Sequence, residues 1–246
     1  MSFTGTSCTL ACVLATLESS AASASVEEQT QLDNTAGKPA YVDIITGPVS
    51  RPAYNIWAGE STNSCTLGFG VRNQFGTKFA STAGHCPASA TYQYGGVQFT
   101  TYTAVYFGSS DFRAYNVPGG NIATNILYTG SGTRSITGTT GWSNFGVGSF
   151  VCKYGKVTGY NCGNIVTKTK APNYVPGTQA TYVEVNGCNQ GSANLSASGD
   201  SGGPWFSGNS AWGWMSGGAG PNSCGQNNGI FMAVDYMASG MSVLTS

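Results

Sequence analysis

The sequence predicts an all-β protein of sandwich or barrel type, and three observations carry that reading. Glycine supplies 36 of the 246 residues, roughly twice its usual share, which suits a chain that turns often. Aromatic residues reach 12%, a class that favours pleated, half-buried surfaces. Short apolar or alternating runs are separated by Gly, Asn and Ser clusters about every eight to twelve residues, the rhythm of strands joined by tight turns. In order, those runs are Thr66–Val71, Val97–Phe107, Asp111–Val117, Ser149–Tyr154, Gly163–Lys168 and Thr181–Val185. One stretch, Phe231 to about Val243, reads instead as a C-terminal helix.

Charge narrows the function. Only 8% of residues are charged, ten basic and ten acidic, for a formal net charge of zero. There is no basic footprint for nucleic acid, and no apolar run approaches the ~20 residues that span a bilayer. A length of 246 residues is enough for one large domain or two small ones.

Residues 1–53 differ from the rest and read as a leader with the remnant of a pro-segment. No basic residue occurs before Lys38, and Leu10, Val13, Leu14 and Leu17 follow a weak helical stripe. Cys8–Leu17 followed by Ala22-Ser23-Ala24 has the outline of a signal peptide without its positive start. Pro48 and Pro52 flank Arg51 at a joint that reads as exposed, so release of residues 1 to about 53 is expected, leaving residues 54–246 as the functional domain.

The chain has eight cysteines, at 8, 12, 65, 86, 152, 162, 188 and 224. An even count in a β-rich, weakly charged chain points to disulfides and an oxidising compartment. Structural zinc wants closely paired Cys or Cys/His ligands, which this spacing lacks, so neither a metal nor a cofactor is expected.

The single histidine, His85, lies in Thr82-Ala83-Gly84-His85-Cys86, after an apolar run. It gains meaning beside Gly199-Asp200-Ser201-Gly202-Gly203-Pro204. A Ser between glycines has backbone freedom to turn its N–H groups inward as an oxyanion hole. The pentapeptide also fits the Gly-x-Ser-x-Gly elbow of α/β-hydrolases, but that fold places its His after the Ser, and none follows residue 85. Between His85 and Ser201 the acids are Asp111, Glu184 and Asp200. Asp200 adjoins the Ser, and Glu184 reads as a surface charge on an alternating strand. Asp111 remains, at the start of a strand, able to fix the imidazole tautomer.

These two segments resemble the signatures of the chymotrypsin-like serine proteases. Cys65-Thr66-Leu67-Gly68-Phe69-Gly70-Val71, Val151-Cys152-Lys153-Tyr154-Gly155, Thr158-Gly159-Tyr160-Asn161-Cys162-Gly163 and Met215-Ser216-Gly217-Gly218 resemble the bacterial secreted branch, of streptogrisin and α-lytic protease type. The likeness runs from about Asn55 to the end. It implies two six-stranded antiparallel β-barrels, near residues 54–130 and 131–246, with a cleft between them. It implies a secreted, monomeric endopeptidase acting on polypeptides through an acyl-enzyme, with its own pro-segment as a further partner. His85 becomes general base, Asp111 its orienter and Ser201 nucleophile, with the N–H groups of Gly199 and Ser201 as the oxyanion hole. Implied disulfides are Cys65–Cys86, Cys152–Cys162 and Cys188–Cys224, while Cys8 and Cys12 have no counterpart. Lys153 stands where the branch usually has Arg and is expected to pair with the buried Asp200.

In resembling enzymes the specificity pocket is lined by residues here occupied by Leu195, Ser196, Ala197, Ser198 and Met215, and Ser216-Gly217-Gly218 binds the substrate backbone as an added strand. None of these is acidic and the one His is committed to catalysis, so a neutral, apolar residue before the scissile bond is expected. The ten residues between Cys188 and Gly199 are long for this branch and include the sequon Asn194-Leu195-Ser196. Two other readings stay in view. A catalytically inactive binding protein would usually have lost a triad member, and all three are present. An esterase would use the same triad on a different leaving group.

Overall fold

The computed structural model describes residues 54–188 and 194–246. The leader, the helical stripe near Leu10–Leu17, Cys8, Cys12 and the joint at Arg51-Pro52 lie outside the described residues. Among the described residues sixteen strands follow one another: β1 (Asn55–Ala58), β2 (Val71–Asn73), β3 (Lys78–Thr82), β4 (Ser89–Thr91), β5 (Gln98–Phe107), β6 (Ser110–Asn116), β7 (Ile122–Tyr128), β8 (Thr133–Ser135), β9 (Gly138–Thr139), β10 (Phe150–Gly155), β11 (Gly159–Lys170), β12 (Tyr182–Asn186), β13 (Pro204–Ser207), β14 (Ser210–Pro221), β15 (Asn227–Ala233) and β16 (Met241–Val243). No α-helix occurs among the described residues.

The second half closes on itself. Its order is β13-β10-β11-β12-β15-β14, and a further β13–β14 pairing joins the ends into a six-stranded barrel, with β9 added in parallel to β14. The first half holds a six-stranded sheet, β16-β2-β3-β6-β5-β4, and a three-stranded sheet, β1-β7-β8. Its edge strand β16 comes from the end of the chain, so the two halves are tied by backbone hydrogen bonds as well as packing. Trp214 of β14 is the central side chain of that packing. It is fully buried, meets Phe69 and Phe112 edge-on at 5.7 and 5.2 Å, and donates its indole N–H to Ser81 Oγ at 2.8 Å.

The expected C-terminal helix is absent. Phe231 to Val243 contains the end of β15, a 3₁₀ turn at Val234–Tyr236 and strand β16. Phe231, Met232, Ala233 and Val234 are all buried, and a segment covered on both faces carries no period that separates helix from strand. Gly240, at φ +76°, turns the chain back toward β2. The run at Thr66–Val71 joins a ladder only at its last residue. Its earlier N–H groups go elsewhere: Thr66 to Ser201 O at 2.9 Å, Leu67 to Glu60 O at 2.6 Å and Gly68 to Ser81 O at 2.7 Å. That stretch is a tie between the halves.

Candidate active site

Asp111 sits second in β6 with no exposure, and its own N–H is held by Met232 Sδ at 3.1 Å. Its carboxylate accepts from the His85 backbone N–H at 3.0 Å and from Ser216 Oγ at 2.5 Å, and lies 2.9 Å from His85 Nδ1. On the other side of the ring, His85 Nε2 lies 2.8 Å from Ser201 Oγ. With Nδ1–H donated to the buried carboxylate, Nε2 is left as an acceptor for the Ser201 hydroxyl. Gly84 is what lets the His85 turn lie against β5 and β6, since a Cβ there would stand 2.5 Å from Val105 O and 2.8 Å from Phe112 N.

Ser201 lies in a tight loop that glycine makes possible. Gly199 adopts φ +104°, where side chains are strained, and a Cβ would also approach Lys156 Cε and Val157 Cγ2 at 2.9 Å. The Asp200 N–H is spent on Ala197 O at 3.1 Å and that of Gly202 on Met215 O at 2.7 Å. Among the described residues the N–H groups of Gly199 and Ser201 have no acceptor. Two alternate N–H donors are thereby left beside the Ser201 hydroxyl, an arrangement that can receive a developing negative oxygen.

Asp200 is fully buried beneath this loop. It accepts from the N–H groups of Val157 at 2.9 Å, Thr158 at 3.1 Å and Ala197 at 3.0 Å, and from Thr158 Oγ1 at 2.5 Å. Lys153 Nζ stands 3.6 Å from its carboxylate and also donates to Thr158 Oγ1. Burial pushes the Lys153 ammonium down to about 8, against the opposing pull of Asp200.

A cavity of about 530 Å³ opens beside the Ser–His pair. Ser196, Ala197, Ser198, Met215, Ser216, Gly217 and Gly218 all line it, as do His85 and Ser201. Leu195 does not: it is fully buried with Val183, Trp205 and Phe231. Its apolar side chain turns into the barrel core while the next residue faces the cavity. Ser196 Oγ donates to Asn228 O at 2.9 Å. Met215 Sδ accepts the Trp205 indole N–H at 3.2 Å, which holds that side chain in place. Asn194 Oδ1 accepts the Asn227 N–H at 2.9 Å, and the other two sequon residues are buried.

Glu184 departs from its surface reading. It is buried, accepts from Asn228 Nδ2 at 2.8 Å and pairs with Lys170 Nζ at 2.8 Å. Burial alone raises its carboxyl, but the hydrogen bonds of Asn228 and Lys170 and the Lys170 charge outweigh that and leave it lowered. The sequence reading also missed Tyr106 and Tyr174, which line the cavity from β5 and from the loop after β11. The Tyr106 ring lies 5.7 Å from the imidazole, and its hydroxyl donates to Tyr174 O. Burial raises the Tyr174 phenol. Tyr106 stands in the run Val97–Phe107, as a surface tyrosine could, and Tyr174 lies between Pro172 and Pro176 in a stretch with no strand period. Among the described residues no three His, Cys, Asp or Glu side chains are grouped to hold a metal.

Among the described residues the disulfides are Cys65–Cys86, Cys152–Cys162 and Cys188–Cys224. The first joins the Thr66 segment to the His85 turn; the second crosses the β10–β11 hairpin beside Lys153. Among the described residues no helix is long and apolar enough to cross a membrane.

No protein-family model matches the chain. It is 32% identical over 162 residues to Serine protease 2 of Streptomyces fradiae, covering 63% of this chain and 87% of that one. It is 31% identical over 195 residues to streptogrisin-C of Streptomyces griseus, covering 74% of this chain but only 38% of that longer protein. Among solved structures, Thermobifida fusca protease A superposes with a TM-score of 0.63 at 27% identity, over 78% of this chain and 100% of the other.

Proposed function

Because the chain belongs to the bacterial chymotrypsin-like serine proteases, we propose that it cleaves peptide bonds through an acyl-enzyme on Ser201. The observation that carries this reading is the continuous line from Ser201 Oγ to His85 Nε2, 2.8 Å, and from His85 Nδ1 to Asp111 Oδ2, 2.9 Å. Ser201 Oγ attacks the scissile carbonyl carbon as His85 Nε2 takes its proton, and the C=O pair moves onto oxygen. The N–H groups of Gly199 and Ser201 receive that oxyanion. Asp111 stays ionised and holds the imidazolium in place. Collapse expels the amine, which leaves with the proton from Nε2. Water then repeats the sequence on the acyl-enzyme and frees Ser201.

Substrate backbone adds as a strand along Ser216-Gly217-Gly218. The pairing of β13 with β14 stops at Trp214, so beyond it only the β15 side of β14 is laddered. The residue before the scissile bond enters the neighbouring cavity. Among the described residues its lining holds, apart from His85, no ionisable side chain except two tyrosines, so a Lys, Arg, Asp or Glu there would lose water without gaining a countercharge. Neutral, apolar residues are preferred. Three disulfides suit secretion into an oxidising medium, and the Lys153–Asp200 pair supports the loop that carries the oxyanion hole.

The test is active-site labelling. A fluorophosphonate should modify the wild-type protein at Ser201 and leave Ser201→Ala untouched, and only the wild type should digest casein. Casein digestion by Ser201→Ala, or labelling elsewhere, would refute the assignment. Labelled protein that cleaves a short-chain ester but not casein would mark an esterase.

A further inference from the structure

We propose that Thr66 is a positioning residue for the oxyanion hole, acting from the first half of the molecule on the loop that carries the nucleophile. The inference rests on the reading of Gly199 and Ser201 as that hole. Thr66 has no exposure, and none of its polar groups is idle. Its N–H donates to Ser201 O at 2.9 Å. Its hydroxyl lies 2.9 Å from Gly199 O and 3.0 Å from the Lys156 N atom. An amide N–H can only donate and a carbonyl can only accept. The one hydroxyl proton therefore goes to Gly199 O, and the Lys156 N–H fills the oxygen's lone pair. Thr66 thus grips the carbonyls of the two residues whose N–H groups have no acceptor among the described residues.

The grip matters because of what it holds. Gly199 has no Cβ to restrict it and sits at φ +104°, a region open to glycine but not enforced by it. The hydroxyl bond to Gly199 O, with the Asp200 N–H on Ala197 O at 3.1 Å, pins both ends of the peptide that follows Gly199. The bond to Ser201 O, with the Gly202 N–H on Met215 O at 2.7 Å, pins the peptide that follows Ser201. The N–H groups of Asp200 and Gly202 are spent in this way, and those of Gly199 and Ser201 are left without an acceptor among the described residues, available to the reacting carbonyl. Thr66 is itself fixed from behind, because Thr82 Oγ1 donates to its carbonyl at 2.8 Å. Thr82 ends β3, three residues before His85, so one residue ties the base's strand to the hole's loop. Oxyanion donors act only when aimed to within tenths of an ångström, and a buried hydroxyl with two fixed partners supplies that aim.

The test compares Thr66→Val, which keeps the shape and deletes the hydroxyl, with Thr66→Ser, which keeps the hydroxyl. Each is assayed with one tetrapeptide anilide. Each is also titrated with a peptide aldehyde, which places an oxyanion in the hole on adding Ser201, and with the matching peptidyl alcohol, which does not. Thr66→Val should lose roughly 10- to 100-fold in kcat with KM nearly unchanged. It should bind the aldehyde more weakly by a similar factor and the alcohol as wild type does. Thr66→Ser should return to within about threefold of wild type in kcat. Should Thr66→Val not accumulate, Thr66→Ala is measured in the same way and should show the same split. Wild-type kcat in the hydroxyl-deleted protein, equal weakening of aldehyde and alcohol, or a Thr66→Ser enzyme as poor as Thr66→Val overturns the inference alone. Peptidase activity in Ser201→Ala, run alongside, would overturn the reading of the site and this inference with it.

Discussion

Replacing Lys153 with Met should cost less than replacing Asp200 with Asn, although the two residues form one buried pair. Removing one partner of such a pair generally costs about 3–5 kcal/mol, because the other charge stays buried and uncompensated. The two partners are not alike here. Without Lys153, the Asp200 carboxylate keeps three backbone N–H donors and the Thr158 hydroxyl, between 2.5 and 3.1 Å away. Hydrogen bonds to a charged group are each worth about 1.5–3 kcal/mol, so its charge remains well compensated. Lys153 itself is held at a cost, since burial lowers its ammonium to about 8 from 10.5, and Met of similar length removes that cost. We expect Lys153→Met to lose roughly 1–2 kcal/mol. Asp200→Asn strands the ammonium and turns an amide NH₂ toward N–H donors, and should lose the full 3–5 kcal/mol.

Urea unfolding followed by tryptophan fluorescence, in a Ser201→Ala background that suppresses self-digestion, measures both. Equal losses, or a larger loss for Lys153→Met, would refute the argument that the backbone donors carry the carboxylate. The same residue sets a pH dependence. Between about pH 8 and the ordinary lysine value the folded protein has released this proton while the unfolded chain still holds it. The unfolded state then binds more protons, so this residue's contribution to unfolding free energy rises with pH across that window. Lys153→Met should lack that rise.

Much of this is legible in the sequence, and the exceptions have physical causes. The runs at Val97–Phe107, Asp111–Val117 and Ser149–Tyr154 match β5, β6 and β10 to within a residue at each end; β5 is covered on one face and alternates, whereas β6 and β10 are covered on both and are bounded by Gly, Ser and Asn turn residues. The C-terminal segment reads wrongly because the end of β15 is covered on both faces: Ile230 to Val234 are uniformly apolar, and only the partners β12 and β14 define a strand there. His85 and Ser201 stand in local motifs. Asp111 was reached by elimination, a step that discarded Glu184 partly on a mistaken exposure. The strand period did put Glu184 opposite Val183 and Val185, but the opposite face is also covered. The groups that make a carboxylate tolerable there, Lys170 and Asn228, come from β11 and β15. Leu195 shows the same limit at the pocket. Counting back from the nucleophile places a residue along the chain, whereas the direction of its side chain is decided by the Trp205 and Phe231 core against which it packs.

Three further outcomes are expected at the site. Ser201→Ala, His85→Ala and Asp111→Asn should each lower kcat for peptide hydrolysis by roughly three to six orders of magnitude, without adding in combination; an Asp111→Asn enzyme within tenfold of wild type would remove Asp111 from the triad. Tetrapeptide anilides with Ala, Val, Leu, Met or Phe before the bond should exceed those with Lys, Arg, Asp or Glu by at least ~100-fold in kcat/KM, about 2.7 kcal/mol of discrimination; a preference for Arg, Lys or Glu would show that the cavity is misassigned. Gly218→Val should redirect that preference rather than abolish activity. A Cβ at residue 218 would stand 2.1 Å from Ser196 Oγ and 2.8 Å from Ser196 Cβ. Ser196 cannot yield freely, because it is buried and tied to Asn228 O, so the added side chain must take its room from the cavity. The kcat/KM for a Phe substrate should fall at least 30-fold more than that for an Ala substrate, roughly 2 kcal/mol of differential binding. Parallel losses across the panel would mean that residue 218 carries the substrate backbone without walling the pocket.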